Sequence, residues 1–499
     1  MVKELEDLGV LTGAQRAGGW PAGDGPHLTG LSVDSRETQP GHLFFGLPGT
    51  NLHGGAFIPY AVRMGASAVL TDAEGLAEAE AEMGPVPLPV IVHPDPRRAL
   101  AFAARRWFSG QPETMVAVTG TNGKTSVASF TRQIWEGLGI AAVNFGTTGV
   151  EGAVAAPLSH TTPEPITLHR LLRRLVEEGV THAAMEASSH GLAQARLDGV
   201  RLRAAAFTNI SRDHLDYHPD FESYLAAKAG LFDRVLPRDG TAVINADTPS
   251  GQRLAAEAEA RGQDVLRVGE AAGVDLRLMA QRFEATGQTV RIAIRGEVHL
   301  LRLSLIGGFQ ASNALVAAGL ALATGVDAGD LVRALPGLQP VRGRMQKAAV
   351  RANGAAVYVD YSHTPDSLAT ALQALRPHVM GRIVVVFGAG GDRDPGKRPM
   401  MGAAAREHAD VAIVTDDNPR TEDPASIRAS ILTACPEATE IGDRATAILA
   451  GVDALEPGDT LLIAGKGHES GQIVGHDVLP FDDAEQASIA VAALEGQGA

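Results

Sequence analysis

The hexapeptide Gly120-Thr121-Asn122-Gly123-Lys124-Thr125 limits what this chain can fold into more than any other stretch. Ahead of it, Met115-Val116-Ala117-Val118 is apolar and β-branched, which reads as a buried strand. Behind it, Ser126 to Leu138 puts Val127, Phe130, Ile134 and Leu138 on one helical face. Strand, glycine turn and helix start in that order make an anion cradle. Glycine lets backbone N–H groups converge on a phosphate, and the helix dipole favours negative charge there. Gly120, Thr121, Asn122, Gly123, Lys124, Thr125 and Ser126 are therefore expected around a nucleoside triphosphate, with Lys124 on the terminal phosphates and the Thr125 hydroxyl facing Mg²⁺. The full pattern asks for glycine where Val118 stands. An ordinary glycine-rich turn is the alternative, and Lys-Thr directly after the second glycine weighs against it.

A chain of 499 residues has room for about two to four domains, each with its own core. A formal charge of -15 argues against electrostatic binding of nucleic acid, so phosphate chemistry must use a local basic site. Cys435 is the only cysteine, which forbids disulfides within the chain and suits a reducing compartment. The start, Met1-Val2-Lys3-Glu4-Leu5, has no basic region followed by an apolar core. Apolar runs such as Leu315–Thr324 fall short of the ~20 residues of a membrane span. A soluble cytoplasmic protein is expected, and few aromatics with much Ala, Gly and Val suit an α/β fold with parallel strands.

Breaks in the pattern divide the chain into 1–95, 96–340 and 341–499. The first unit mixes short strands and loops. In it, a polar loop at Thr50-Asn51-Leu52, beside Ser35 and Arg36, reads equally as a substrate contact or as plain surface. The proline-rich stretch 85–96 reads as leading into a hinge. In the central unit, strands expected at 181–187 and 204–210 run into polar loops, and ligands of wound sheets sit at such ends. Glu186 and His214 are thus expected to share a crevice with Lys124 and to serve Mg²⁺; helix capping and local packing are the alternatives. Phe221 to Leu236 reads as one amphipathic helix carrying Lys228, and Val274 to Leu305 as β-hairpins, inserted on the sheet or at its edge. The last unit repeats the strand-to-polar-loop pattern around Tyr361, Gly388, Asp416 and Gly465. Its loops would gather mixed charges at one mouth, suited to a zwitterionic or anionic substrate.

In order along the chain, the glycine loop, Glu186-Ala187-Ser188-Ser189-His190-Gly191-Leu192, Asn209 to His218, Gly343-Arg344-Met345, Asp360-Tyr361-Ser362-His363-Thr364-Pro365 and Gly465-Lys466-Gly467-His468-Glu469 resemble the Mur ligases. The resemblance covers essentially the whole chain. It implies a small N-terminal α/β substrate domain, a central P-loop ATPase domain on a parallel sheet, and a C-terminal Rossmann-like domain. It implies an ATP-dependent amide ligase of peptidoglycan assembly, working as a monomer with Mg²⁺ through an acyl phosphate. Asp417-Asn418-Pro419-Arg420 matches the motif of the branch that joins meso-diaminopimelate to UDP-MurNAc-L-Ala-D-Glu.

Carried over residue by residue, the resemblance assigns Val33, Ser35, Thr50, Asn51 and Leu52 to the uridine-diphosphate end. Thr161, Thr162, Ser188, Gln194 and Arg196 fall along the peptide, with His160 where relatives often have asparagine. Asn313, Arg344 and Asp360 are assigned to adenine and ribose, and Arg393, Asp417, Asn418, Pro419, Arg420, Gly465 and Glu469 to diaminopimelate. Lys228 would be carbamylated, turning a cation into a carboxylate beside Mg²⁺, where the residues alone also allow a solvated lysine. Lysine-adding and folylpolyglutamate-synthetase-like ligases are the neighbouring alternatives, and a non-catalytic nucleotide-binding regulator is the distant one.

Overall fold

The computed structural model describes residues 2–20, 25–49, 52–211 and 217–496, so Thr50, Asn51 and His214 lie outside the described residues. The first sheet contains β1 (Gln15–Gly18), β2 (Gly30–Ser32), β3 (His42–Phe45), β4 (Ala68–Thr71) and β5 (Pro89–Val92), in the order 1-5-4-3-2. The proline-rich stretch expected to lead into a hinge instead supplies β5, antiparallel to β1 and parallel to β4. Pro89 is tolerated because it opens the strand, where a missing N–H costs least. Val90 and Ile91 behind it are fully buried. The helix Pro96–Phe108 then seats Ala99, Leu100, Ala103, Ala104 and Trp107 in one core with Leu31, Leu43 and Phe45. Residues just past 95 therefore pack with the first sheet.

The central sheet contains β6 (Thr114–Thr119), β7 (Ala142–Gly146), β8 (Gly149–Gly152), β9 (His182–Glu186), β10 (Ala204–Phe207), β11 (Thr241–Asn245), β12 (Asp264–Gly269), β13 (Leu276–Glu284), β14 (Gly287–Ile294) and β15 (Glu297–Leu303). Their order is 15-14-13-12-11-10-6-9-7-8, parallel from β13 through β7. The alternation of 274–305 predicts hairpins, and the antiparallel β13–β15 meander places them at one edge, the second of the two placements it allows. Helices Lys124–Gly137 and Gly308–Ala323 cover one face, and Pro165–Glu177, Phe221–Gly230 and Pro249–Ala260 the other. Val127, Phe130 and Ile134 are completely buried, each contributing roughly 1.5–3 kcal/mol.

One expected helix is two elements. The α-helix ends at Gly230, and Leu231–Val235 continues as a wider π turn that buries Leu231, Phe232 and Val235 together.

The third sheet contains β16 (Gln346–Val350), β17 (Ala356–Asp360), β18 (Ile383–Phe387), β19 (Val411–Val414), β20 (Thr439–Glu440) and β21 (Thr460–Ala464), in the order 16-17-21-18-19-20. All but β16 are parallel, so the loops after β17, β18, β19 and β21 leave one sheet end. A separate hairpin, β22 (Gly471–Val474) with β23 (Asp477–Pro480), stands beside the loop after β19, bridged at Arg420 and Val474. Among the described residues, no helix is long and apolar enough to cross a membrane.

Candidate active site

Register assembles the phosphate loop. β9 and β10 flank β6, with Val118 level with Glu186 and Thr119 level with Phe207. The glycine loop, Glu186 and Thr208-Asn209 therefore leave adjacent strand ends. Gly120 has φ 153°, and a Cβ there would lie 1.9 Å from Thr208 Oγ1; at Gly123, φ is 88° and a Cβ would lie 2.5 Å from Asn313 Oδ1. Neither position admits a side chain. The loop is held from outside. Asn122 N–H donates to Asn209 Oδ1 (3.0 Å), Thr208 Oγ1 donates to Asn122 O (2.6 Å), and Ser211 N–H donates to Thr121 Oγ1 (3.0 Å). Lys124 Nζ folds over its own loop, donating to the carbonyls of Gly120 (3.0 Å) and Thr121 (2.8 Å).

Glu186 is the buried acceptor of the group. It receives Thr147 N–H at 2.8 Å and the hydroxyls of Thr147 and Thr125 at 3.1 Å each. It does not cap the next helix; Ser188 does, with Oγ accepting from Gly191 N–H at 3.1 Å. Thr125 and Glu186 together present hydroxyl and carboxylate oxygens beside the start of the phosphate-loop helix, the hard donors that suit Mg²⁺. Lys228 is 1% exposed, which overturns the solvated alternative. Its Nζ donates to Gly120 O at 2.7 Å and lies 4.3 Å from the centre of the Tyr224 ring. As an ammonium it is a donor and not a metal ligand. Among the described residues, no group of three or more His, Cys, Asp or Glu side chains is arranged to hold a metal.

A cavity of about 650 Å³ opens over this loop. Thr121, Asn122, Gly123, Lys124, Thr125, Ser126, Asn313, Arg344 and Asp360 line it; Gly120 does not. Thr161, Thr162, Ser188, Gln194 and Arg196 line its continuation, with His160. Thr162 organises that side. Its Oγ1 donates to Glu186 O (3.0 Å) and accepts Ser188 N–H (3.0 Å), while its carbonyl accepts Arg196 Nη1 (2.6 Å). Arg196 also donates to Gln194 Oε1 at 2.8 Å. Val33, Ser35 and Leu52 are not brought to this cavity. Val33 packs against the first sheet's core, Ser35 is buried in a short turn, and Leu52 is 64% exposed.

The third sheet's loops dock on the same cavity. Arg344 Nη2 reaches Thr125 Oγ1 at 3.3 Å, and its guanidinium lies 4.5 Å from the centre of the Tyr361 ring. Asp360 accepts Met345 N–H at 2.7 Å and the Ser362 hydroxyl, while burial pushes its pKa up. Ser211 Oγ donates to Asp366 Oδ2 at 2.9 Å across the two sheets. His468 meets the Thr147 backbone, and burial, reinforced by Arg344 and Arg342, pushes its pKa down to about 4.

Behind Tyr361 lies a second cluster. Arg420, at φ 52°, donates from Nη1 to Gly391 O at 2.7 Å, while its backbone pairs with Ile473 and Gly475 of the hairpin. Asn418 Nδ2 donates to Glu469 Oε2 at 2.9 Å, and Pro419 O closes a turn by accepting Glu422 N–H. The Asp417 carboxylate lies against the Cα of Gly465. Burial pushes the Tyr361 phenol up to about 12, with Glu469 and Asp417 raising it and Arg344 and Arg420 opposing. Tyr361 thus stands within electrostatic reach of both clusters. Arg393 is exposed on the adjoining loop, donating to Asp392 O at 3.0 Å.

Sequence reasoning did not single out Thr147, and it assigned no role to Asn209, Tyr361 or Lys466 within the loops it named. Each follows a strand within a polar turn, which was the available signal.

The Mur ligase family, catalytic domain model matches residues 27–108, the Mur ligase middle domain model 118–321, and the Mur ligase, glutamate ligase domain model 343–467. A protein of Bradyrhizobium diazoefficiens named UDP-N-acetylmuramoyl-L-alanyl-D-glutamate--2,6-diaminopimelate ligase is 52% identical over 476 residues, spanning 95% of this chain and 96% of that one. One of the same name from a Chelativorans species is 51% identical over 460 residues, spanning 92% and 94%. A solved structure titled with that name superposes with TM-score 0.68 at 33% identity, covering 94% of this chain and 95% of that one. Three matched domains in order, on a fold whose strand ends converge on one phosphate loop, make this chain a member of the Mur ligase family.

Proposed function

We propose that this chain is the ATP-dependent, ADP-forming ligase that joins meso-2,6-diaminopimelate to the D-glutamate of UDP-MurNAc-L-Ala-D-Glu, as the names of its relatives describe. The observation that carries it is one cavity lined by the phosphate loop, the wall of Thr162, Ser188 and Arg196, and Tyr361; Arg420, Asp417 and Glu469 do not line it and lie within electrostatic reach of Tyr361.

A carboxylate is a poor electrophile, so the γ-carboxylate of D-glutamate attacks the γ-phosphorus of ATP, giving an acyl phosphate and ADP. The diaminopimelate amine then attacks the acyl carbon, the C–O bond to phosphate breaks, and amide, phosphate and a proton result. Bringing a carboxylate to a triphosphate requires positive charge. Lys124 supplies it from the chain, swinging from the carbonyls of Gly120 and Thr121 onto the phosphates. Thr125 and Glu186, joined by His214 by resemblance, would hold Mg²⁺, which when bound neutralises phosphate charge. Lys228 would join them as its carbamate; its contacts with Gly120 O and the Tyr224 face are those of the unmodified amine. Asn313, Arg344 and Asp360 take adenine and ribose, and Val33, Ser35, Thr50, Asn51 and Leu52 the uridine end. Docking of the third sheet shields the acyl phosphate from water.

Arg420 faces the distal carboxylate of diaminopimelate, with Arg393 beside it, while Asp417, Asn418 and Glu469 face the distal ammonium. L-Lysine lacks that carboxylate and would leave Arg420 unpaired. We read the protein as a cytoplasmic monomer, consistent with its single, buried cysteine.

The test is ADP release from ATP and UDP-MurNAc-L-Ala-D-Glu with meso-diaminopimelate, L-lysine or no amino acid. Release that depends on diaminopimelate supports the proposal. Release with lysine instead reassigns the amino acid, and none with either refutes ligase activity.

A further inference from the structure

The turn after β21 contributes Gly465 and Glu469 to the chemistry above and leaves the lysine between them without a role. Lys466 is completely buried. Its Nζ donates to Asn418 Oδ1 at 2.9 Å and lies 3.3 Å from Glu469 Oε2. A buried cation is costly, and an apolar side chain of the same length would fill the space more cheaply if filling were its only task. The bonding pattern says what else it does. Asn418 Oδ1 also accepts Ile473 N–H at 2.9 Å, and Asn418 Nδ2 donates to the same Glu469 Oε2 at 2.9 Å. Both contacts on Glu469 thus land on one oxygen. Its Oε1 has no hydrogen bond among the described residues, and the side chain keeps 33% exposure.

Charge counting gives the consequence. Arg344, the other arginine near Tyr361, is turned to Thr125 in the nucleotide cavity, so without Lys466 the cluster would carry Asp417 and Glu469 against Arg420, a net negative pocket. Arg444 lies within electrostatic reach of Asp417 and Glu469, but it is paired at 2.7 Å with the equally buried Asp483, so the pair adds no net charge. Arg393 is exposed and screened by solvent. With Lys466 the charges balance. We infer that Lys466 is a specificity-determining residue of the amino-acid pocket. Its buried charge cancels that of Glu469, so the pocket prefers an amino acid with a zwitterionic distal end over one ending in a lone ammonium. The inference rests on the proposed function, since it concerns the amino acid that the ligase accepts.

The experiment measures kcat/KM for meso-diaminopimelate and for L-lysine, with the KM for ATP, in the full-length protein, Lys466→Met and Lys466→Gln. Methionine keeps the length without charge, and glutamine keeps a donor for Asn418 without charge. Both variants should lower the diaminopimelate-to-lysine ratio by about tenfold or more, through the KM of the amino acid, while the KM for ATP stays put. An unchanged ratio in either variant overturns the inference. So does a ratio lost in the methionine variant but kept by glutamine, because the hydrogen bond and not the charge would then be selecting. If both variants lose nucleotide binding, Lys466 is structural and the inference also falls. Wild-type protein that releases no ADP with diaminopimelate overturns the proposed function itself, a result distinct from all of these.

Discussion

The phosphate loop and the amino-acid pocket both use loops at the carboxyl ends of parallel strands, and both set a lysine on fixed oxygens, yet they are completed in different ways. The phosphate loop is held by the Asn209 amide, the Thr208 hydroxyl and the Lys124 and Lys228 ammonium groups on its own carbonyls. Its cavity is shared by two sheets, with Arg344 reaching across to Thr125. Charges hold the amino-acid pocket, with Lys466, Asn418 and Glu469 bonded within the third sheet alone. The first site is complete only when two sheets dock. The second is formed in advance, and its selectivity is a matter of charge balance.

Variants can break or sharpen that contrast. The largest effect is expected at Lys124→Met, which should cut ADP release by about 10³-fold or more by removing the chain's cation from the phosphates; a loss under about tenfold would deny the loop its role. Next, Arg420→Lys should lower kcat/KM for diaminopimelate about 10²-fold and leave the KM for ATP alone, because lysine cannot reproduce a bidentate grip on a carboxylate. An equal rise in both constants would show that the two sites are not separable. Arg344→Ala should raise the KM for ATP about tenfold through the lost contacts with Thr125 and Tyr361, and change that for diaminopimelate less.

The smallest effect is expected from pH. His468 has its pKa lowered to about 4 where the third sheet docks, against 6.5 for a free histidine. The undocked or unfolded state therefore binds more protons between these values. Its contribution is complete above pH 6.5 and is lost as pH falls through the window toward about 4. Docking followed by solution scattering should weaken over that range, and His468→Gln should flatten the profile.

Legibility in the sequence follows the same divide. The phosphate loop was readable because two glycines, a lysine and a threonine stand together between an apolar strand and an amphipathic helix. Glu186 was readable as a carboxylate near the end of an expected strand at 181–187. Its partner Thr147 was not, because only the β6–β9–β7 register brings that turn beside it. The misread hinge at 85–96 shows how proline at a strand's first residue mimics a linker. The break after Gly230 was invisible because a π turn keeps the apolar spacing of the helix it extends. Lys466 was named within its loop but given no role, because spacing does not report which lysines are buried. Asp417 to Arg420 were legible only by resemblance, since a four-residue turn carries no periodicity.

The most direct test of the account follows oxygen. UDP-MurNAc-L-Ala-D-Glu carrying heavy oxygen in its γ-carboxylate is turned over with ATP and meso-diaminopimelate, and the released phosphate is weighed. The account predicts that one labelled oxygen moves to phosphate in each turnover, and that the nucleotide product gains one diaminopimelyl group. Phosphate released without label, or product formed equally well with L-lysine, would contradict it.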